Sequence, residues 1–384
     1  MRIAVIGGKL QGVEIIYLAK EAGFETLLVD RNDCVPARGL CDEFISFNYI
    51  KEGRWPTKLK EIDLIFPALE DTKTLRLLYK WAQHINVPVV LDLASYGISS
   101  SKRLSNAVFE KLGLPLPHSL AETSFPVVVK PDNASGSSGV TIARNQNELD
   151  LVRDDATCEI VIQEYLEGPS FSVEIIGRPG NYVTLQATDL FMDELYDCSG
   201  VAAPTHLDSP KIDELHEQIL LIAEEISLHG IMDLEVILHD GKLKILEIDA
   251  RFPSQTPITV YHSTGMNMVN MLAKLFLEGA VEKKPGACVH SRIDHVKVEA
   301  GTVEVCGEHI MAEDGSLRLV TGLFGAYQAL TTYQPGKTKW VATFIFRGSD
   351  RQEVEAKRES CLQKIRWIQP GEDYSDDKII AQGY

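Results

Sequence analysis

An α/β front followed by a mixed α+β remainder is the fold class this sequence predicts, and three observations carry it. Residues 2–6, RIAVI, form a short apolar run that ends in Gly7-Gly8-Lys9-Leu10-Gln11-Gly12 and passes into a helical pattern through Ile15, Ile16, Leu18 and Ala19, with a second apolar run closing at Asp30. This is a βαβ opening with a glycine-rich turn, the layout of a dinucleotide-binding fold. Apolar runs and helical patterns then alternate over residues 63–67, 72–84 and 87–91. Further on, runs follow one another as hairpins, and the most marked of these is GIMDLEVILHDGKLKILEIDARFPSQTP, residues 230–257.

Taking the front first, the glycines are misplaced for G-x-G-x-x-G. Two readings stay open: glycines that only permit a tight turn, or backbone N–H groups at a helix start offered to an anion. Glu70 and Asp71 fall just past a strand's carboxyl end, where open α/β sheets bind ligands, but they also precede a helix at Thr72 that they could cap.

From residue 99 a serine-rich start leads into a helix over 102–112, with Lys102 at its beginning able to reach a phosphate. The string FPVVVKPDNASGSSGVTIA sets Lys130 at the end of a buried strand, followed by Ser135, Gly136, Ser137, Ser138 and Gly139 before a strand over 140–143. A small-residue loop exposes N–H donors without side-chain obstruction and can close over phosphates, with the lysine as point charge. A strand over 160–166, IVIQEYL, runs into a hinge at Glu167-Gly168-Pro169, and its extended end can offer one C=O and one N–H to a heteroaromatic edge. Residues 184–206 read as a polar, irregular segment, the kind of loop that recognises a variable ligand. A helix over 212–229 leads back to the acidic hairpin.

In that hairpin, Asp240-Gly241 signals the turn between strands over 232–239 and 242–248. Side chains alternate along a strand, so Asp233 and Glu235 share one face and Glu247 and Asp249 share one face. A two-residue loop would put Glu235 and Glu247 on opposite faces, whereas an odd-numbered loop or a bulge sets Glu235 opposite Glu247 and Asp233 opposite Asp249. The odd loop is expected. Carboxylates gathered so would repel by about 4 kcal/mol per pair at ~4 Å and an effective dielectric of ~20. They call for a cation, and oxygen ligands suit Mg2+ shared with phosphates. Arg251 lies on the same face if the chain stays extended and could neutralise an oxyanion. Acids turned outward into solvent are the competing reading.

Composition bounds the partners. With 38 Lys and Arg against 55 Asp and Glu, the net charge of −17 argues against nucleic acid. MRIAVIGG runs straight into a strand without a signal-peptide pattern, and no apolar run approaches ~18 residues, so no membrane partner and a cytoplasmic location are expected. The seven cysteines form no CxxC, consistent with a reducing compartment. The region 285–384 reads as a smaller α+β segment with strands near 296–298 and 341–346, a helix over 350–366 and a polar tail from residue 370.

Taken in order, Lys102, Lys130 with its Ser/Gly loop, the QEYL hinge and the Glu235, Glu247, Asp249, Arg251 set resemble the ATP-grasp ligases. Within that superfamily GGKLQGVE, ELYDC, and GIMDLEVIL followed by LEIDARFPSQTP look like the PylC family, the pyrrolysine-biosynthesis ligases that join 3-methyl-D-ornithine to the side-chain amine of L-lysine. The resemblance implies an ATP-grasp fold with a Rossmann-like front domain over 1–94, the ATP-grasp domain over 95–286 with a lid over about 120–180, and a C-terminal α+β domain over 287–384. It implies ATP and Mg2+, two ions, as cofactors, and compatibility with a homodimer. Lys102, Lys130 and Ser135, Gly136, Ser137, Ser138 and Gly139 would hold ATP phosphates. Gln163, Glu164, Tyr165 and Leu166 would hold adenine. Glu235 and Glu247 would be metal ligands, with Asp249 a third ligand or a substrate contact. Ser170 stands where several relatives carry a ribose-binding Glu, which leaves Glu174 as the candidate. Leu10, Gln11, Glu70, Glu194, Tyr196, Asp197, Asp233, Arg251 and Ser254 would face the amino-acid substrates, with Arg251 and Lys130 taking part in catalysis. The rivals are an ATP-grasp carboxylate–amine ligase with other substrates and, from the front βαβ unit, a nicotinamide-dependent dehydrogenase.

Overall fold

The computed structural model describes residues 1–48, 55–134, 136–282, 288–312 and 315–367. Ser135 and the tail from residue 370 lie outside the described residues.

The chain folds as two units that do not follow chain order. One gathers residues 1–90, 191–204 and 253–384, the other residues 91–190 and 205–252. The boundaries expected at 94/95 and 286/287 divide the chain by sequence, whereas the contacts return residues 253–282 to the front unit.

In the first unit Arg2–Ile6, Glu25–Asp30, Glu43–Ser46 and Leu64–Pro67 form a parallel sheet. Parallel pairing requires crossovers, and the helix Leu10–Glu21 supplies the first. The run 87–91 contributes only an isolated bridge, Val89 to Ile65, instead of a strand. The glycine-rich turn is filled by the fold itself: a Cβ on Gly7, at φ +110°, would sit 2.2 Å from the Ala68 carbonyl oxygen, and one on Gly12 2.3 Å from that of Gly7. The tight-turn reading of these glycines is the one the structure supports. The same unit carries an antiparallel group, Cys198–Ala203, His290–Glu299, Lys339–Gly348, Gln328–Thr331 and Arg318–Thr321, with the helix Arg351–Trp367 packed on it through Cys361, Leu362 and Ile365. Residues 184–206 are more regular than expected. They hold two strands, Thr188–Met192 and Cys198–Ala203, because the polar stretch between them is only a tight turn.

The second unit has two sheets. Val127–Pro131 runs between Thr141–Ala143 and Ile160–Glu164, with Val127 and Val129 on the face that packs on Ala143 and Leu149. Alternation therefore puts Val128 and Lys130 on the opposite face, beside Gln163 and Val161. The larger sheet pairs Ser170–Arg178 with Gly230–His239, which pairs with Lys242–Asp249, all antiparallel. Its apolar face, Phe171, Val173, Ile175, Met232, Leu234 and Val236, buries against Phe109 of the helix Lys102–Leu112 and Leu215, Ile219 and Ile222 of the helix Ser209–Glu225.

Candidate active site

The acidic hairpin reaches the expected facing of its acids by a different route. His239 pairs with Lys242, so the loop is the two residues Asp240 and Gly241, both at positive φ, 49° and 76°. The odd-numbered loop is therefore wrong. The register shifts instead between Glu235 and Val236, which face Glu247 and Ile245, leaving Leu246 as the bulged residue. The bulge changes the parity of the buried face from Leu243 and Ile245 to Ile248 and Ala250. Asp233 consequently faces Asp249, and Glu235 faces Glu247.

The strand on the other side continues these rows, with Glu174 opposite Asp233 and Ser172 opposite Glu235. Glu174 is fully buried beside Asp233. Asp233 is 8 % exposed, and its carboxyl is pushed well above the usual carboxylate range by burial first, then by Asp249 and Glu235, with Arg251 pulling the other way.

Cations stand against these acids. Arg251 Nη2 is 2.9 Å from Asp249 Oδ2, and Lys102 Nζ is 3.6 Å from Glu247 Oε2. Lys102 also donates to the Ala134 carbonyl, and its helix start is tied to the end of the Lys130 strand by Asp132, which accepts from Ser101 Oγ at 2.9 Å and the Arg103 N–H at 2.8 Å. Burial lowers the Lys130 ammonium from its ordinary value, Glu247 and Glu235 raise it and Lys102 lowers it further. Lys130, Lys102, Glu235 and Glu247 thus belong to one electrostatic group. Carboxylate oxygens of this kind fit a hard divalent cation, with lysines for the phosphates it would share.

The loop after Lys130 holds Gly136, Ser137 and Gly139 at positive φ, 57°, 55° and 74°, and nothing would obstruct a Cβ on Gly136. Ser138 lies exposed between them. At the hinge the strand stops at Glu164, with Gln163 and Leu166 each 7 % exposed and Tyr165 between.

The remaining predicted positions lie in the first unit. Gln11 Nε2 donates to Glu70 Oε1 at 3.0 Å, with Leu10 adjoining, while Asp71 caps the following helix by accepting the Thr74 N–H at 2.7 Å. Of the two roles the sequence left open, the capping role thus falls to Asp71. In the 193–197 turn Glu194 and Tyr196 are exposed, Tyr196 at φ 62°. Asp197 is 8 % exposed; its Oδ2 accepts from the His309 backbone N–H at 3.2 Å and lies 2.5 Å from His309 Nδ1. Ser254 Oγ donates to Glu308 Oε1 at 3.1 Å. Among the described residues Asp193, Asp197 and His309 bring their ligand atoms within 4.8 Å of one another, while Glu247 is turned to Lys102 and Asp249 to Arg251. The carboxylates of that trio are engaged: Asp193 accepts the N–H groups of Leu195, Asp197 and Gly307.

Sequence reasoning missed Asp132, Lys244 and His309. The first was legible in the KPD string; the other two were not marked by any spacing. In the front turn, Asp30 accepts the Gly8 N–H at 2.8 Å and the Asn32 N–H at 2.8 Å. Asp30 thus ties the glycine turn to the end of the second strand.

The class of protein follows from comparison with known families: the ATP-grasp domain matches residues 99–255, the stretch that carries the lysines, the hinge and the acids. Full-length relatives narrow it. The 3-methyl-D-ornithine–L-lysine ligase of Methanosarcina mazei is 34% identical over 95% of this chain and 95% of its own length, and that of Methanosarcina barkeri 32% identical over 93% and 95%. The chain belongs to this family of ATP-grasp ligases, PylC. Among solved structures, the biotin carboxylase of Campylobacter jejuni superposes with a TM-score of 0.71 over 100% of this chain and 97% of its own at 14% identity, and an L-amino acid ligase of Bacillus licheniformis with 0.63 over 94% and 96% at 18%. These last likenesses concern the fold alone. The dehydrogenase reading is set aside.

Proposed function

We propose that this chain joins 3-methyl-D-ornithine to the side-chain amine of L-lysine at the expense of ATP; the names of its relatives give the two amino acids, and the ATP-grasp domain supports the nucleotide. The observation that carries the reading is the cross-strand pair Glu235 and Glu247, with Lys102 and Arg251 against the same acidic rows. Glu235 and Glu247, with Asp249, would hold Mg2+, two ions in this reading, and the ions would neutralise charge on the β- and γ-phosphates. Lys102 and Lys130 contact those phosphates, and the loop from Gly136 to Gly139 covers them.

A carboxylate is a poor electrophile, and phosphoryl transfer turns one of its oxygens into a leaving group. The methylornithine carboxylate attacks the γ-phosphorus, the bond to the bridging oxygen breaks and ADP leaves. The lysine Nε, with an ordinary pKa of about 10.4, loses its proton and attacks the acyl carbon; phosphate departs and the amide remains. Arg251, held by Asp249, stabilises the oxyanion of that addition. Asp233 faces one substrate ammonium, and Gln11, Glu70, Glu194, Tyr196, Asp197 and Ser254 receive the remaining amino-acid groups. Nothing in the net charge of −17 invites nucleic acid, and among the described residues no helix is long and apolar enough to cross a membrane; the reading places the reaction in the cytoplasm.

The test is ADP release with Mg-ATP, D-ornithine as stand-in acid and L-lysine, each omitted in turn, with mass spectrometry of the product. Release that requires both amino acids, with a product at their summed mass less one water, is expected. Release with other acids or amines but not this pair would overturn the substrate assignment and keep the ligase.

A further inference from the structure

We propose that the turn end of the acidic hairpin sets the adenine-binding hinge, with Lys244 as a positioning residue that acts through Glu164. The inference rests on reading residues 163–166 as the base site. Lys244 is 8 % exposed, an uncommon place for an ammonium, which is costly to bury unless paired. Its Nζ lies 2.5 Å from Glu164 Oε2. That same oxygen accepts the His118 N–H at 3.0 Å, so the Glu164 carboxylate is fixed from two directions.

The far end of the hinge is tied to the same hairpin. Nδ1 of His239 lies 2.9 Å from the Glu167 carbonyl oxygen and 3.2 Å from the Glu167 amide nitrogen, so it meets the Glu167 backbone in either tautomer, and the Pro169 carbonyl accepts the Leu238 N–H at 3.0 Å. The backbones come so close that a Cβ on Gly168, at φ +152°, would sit 2.1 Å from the Leu238 carbonyl oxygen. Tyr165 and Leu166 are therefore held between two anchors on one hairpin. Such fixing matters because a purine edge is read by main-chain groups, whose direction depends on both flanks being held.

The bulge at Leu246 makes the arrangement serve two ends. Without the parity change, Lys244 and Glu247 would lie on opposite faces; with it, the hairpin presents Lys244 to the hinge and Glu247 to Lys102. One hairpin thus sets the distance between the base site and the metal acids.

The experiment compares ATP with inosine triphosphate, which replaces the 6-amino donor by a carbonyl acceptor, in the full-length wild type, Lys244→Met, Lys244→Arg and Glu164→Gln. Wild type should prefer ATP. Lys244→Met should raise the KM for ATP about tenfold or more and erode the preference, with kcat at saturating ATP and the KM for lysine within about twofold; Lys244→Arg should restore most of both. If Lys244→Met does not fold, Glu164→Gln, which keeps the side chain's shape and removes its charge, should show the same pattern. A folded Lys244→Met or Glu164→Gln enzyme with unchanged KM and preference overturns the inference while leaving the hinge reading intact. A wild type that uses both nucleotides equally removes the hinge reading itself, and the inference with it.

Discussion

Glu235 and Glu247 stand directly across the hairpin from each other because Leu246 is extruded from the register between their strands. The close pairing of like charges is unfavourable by itself, and Lys102, 3.6 Å from Glu247, offsets part of it.

Glu247→Gln keeps the shape and removes one of the two charges. Turnover should fall on the order of 100-fold or more, and thermal stability without Mg2+ should be unchanged or higher. Melting curves with and without Mg-ATP check it. A variant that retained the wild-type gain in stability on adding Mg-ATP would remove Glu247 from the metal set.

The histidines of the first unit predict an acid limit on stability. His262 lies 4 % exposed with its Nε2 2.7 Å from the Tyr17 hydroxyl, and burial lowers its pKa to about 3; burial likewise lowers His295 to about 4. The unfolded chain takes up these protons near pH 6.5 and the folded chain does not. Stability is therefore complete above about pH 6.5 and falls as pH decreases toward 4, by up to about 1.4 kcal/mol per pH unit for each histidine. Urea midpoints between pH 4.5 and 7.5 measure this, and His262→Gln should flatten the slope. A slope unchanged in that variant would show that His262 titrates alike in both states.

What the sequence makes legible here follows from periodicity. The helix 102–112 was read at its observed bounds because Ser101 caps it and Gly113 ends it at φ 66°. The facing of the four acids is readable from alternation; of the two devices that could achieve it the odd loop is expected and the bulge is present, as the switch of apolar positions from Leu243 and Ile245 to Ile248 and Ala250 indicates. The strands on either side of the 193–197 turn were missed because each is short and the acids between them resemble a loop. Lys244 and Glu164 are 80 residues apart, and no local pattern announces a pair of that separation.

Arg251 offers a separate test of the chemical step. Its guanidinium is 2.9 Å from Asp249, and it opposes the upward shift of Asp233. Arg251→Ala should lower kcat by about 100-fold or more with the affinity for ATP nearly kept, and Arg251→Lys should recover little, since a point charge does not reproduce the planar fork. Single-turnover ADP formation separates the steps. If ADP still forms at the wild-type rate while amide formation slows, Arg251 acts on the second addition; normal turnover at saturating substrates would dismiss the role.

Glu70 tests the front unit's share in substrate recognition. Its Oε1 accepts from Gln11 Nε2 at 3.0 Å at the exposed carboxyl end of a strand, and the proposed function assigns its carboxylate to a substrate ammonium group. Glu70→Gln preserves a side-chain amide that can still meet Gln11 but cannot pair with an ammonium. The KM for one of the two amino acids should rise roughly 10- to 100-fold, the range of a hydrogen bond to a charged group, with the KM for ATP unchanged because no nucleotide contact is assigned to Glu70. Initial rates with each substrate varied in turn decide it. An equal rise in all three values would mean that Glu70 supports the front unit's structure and not a substrate.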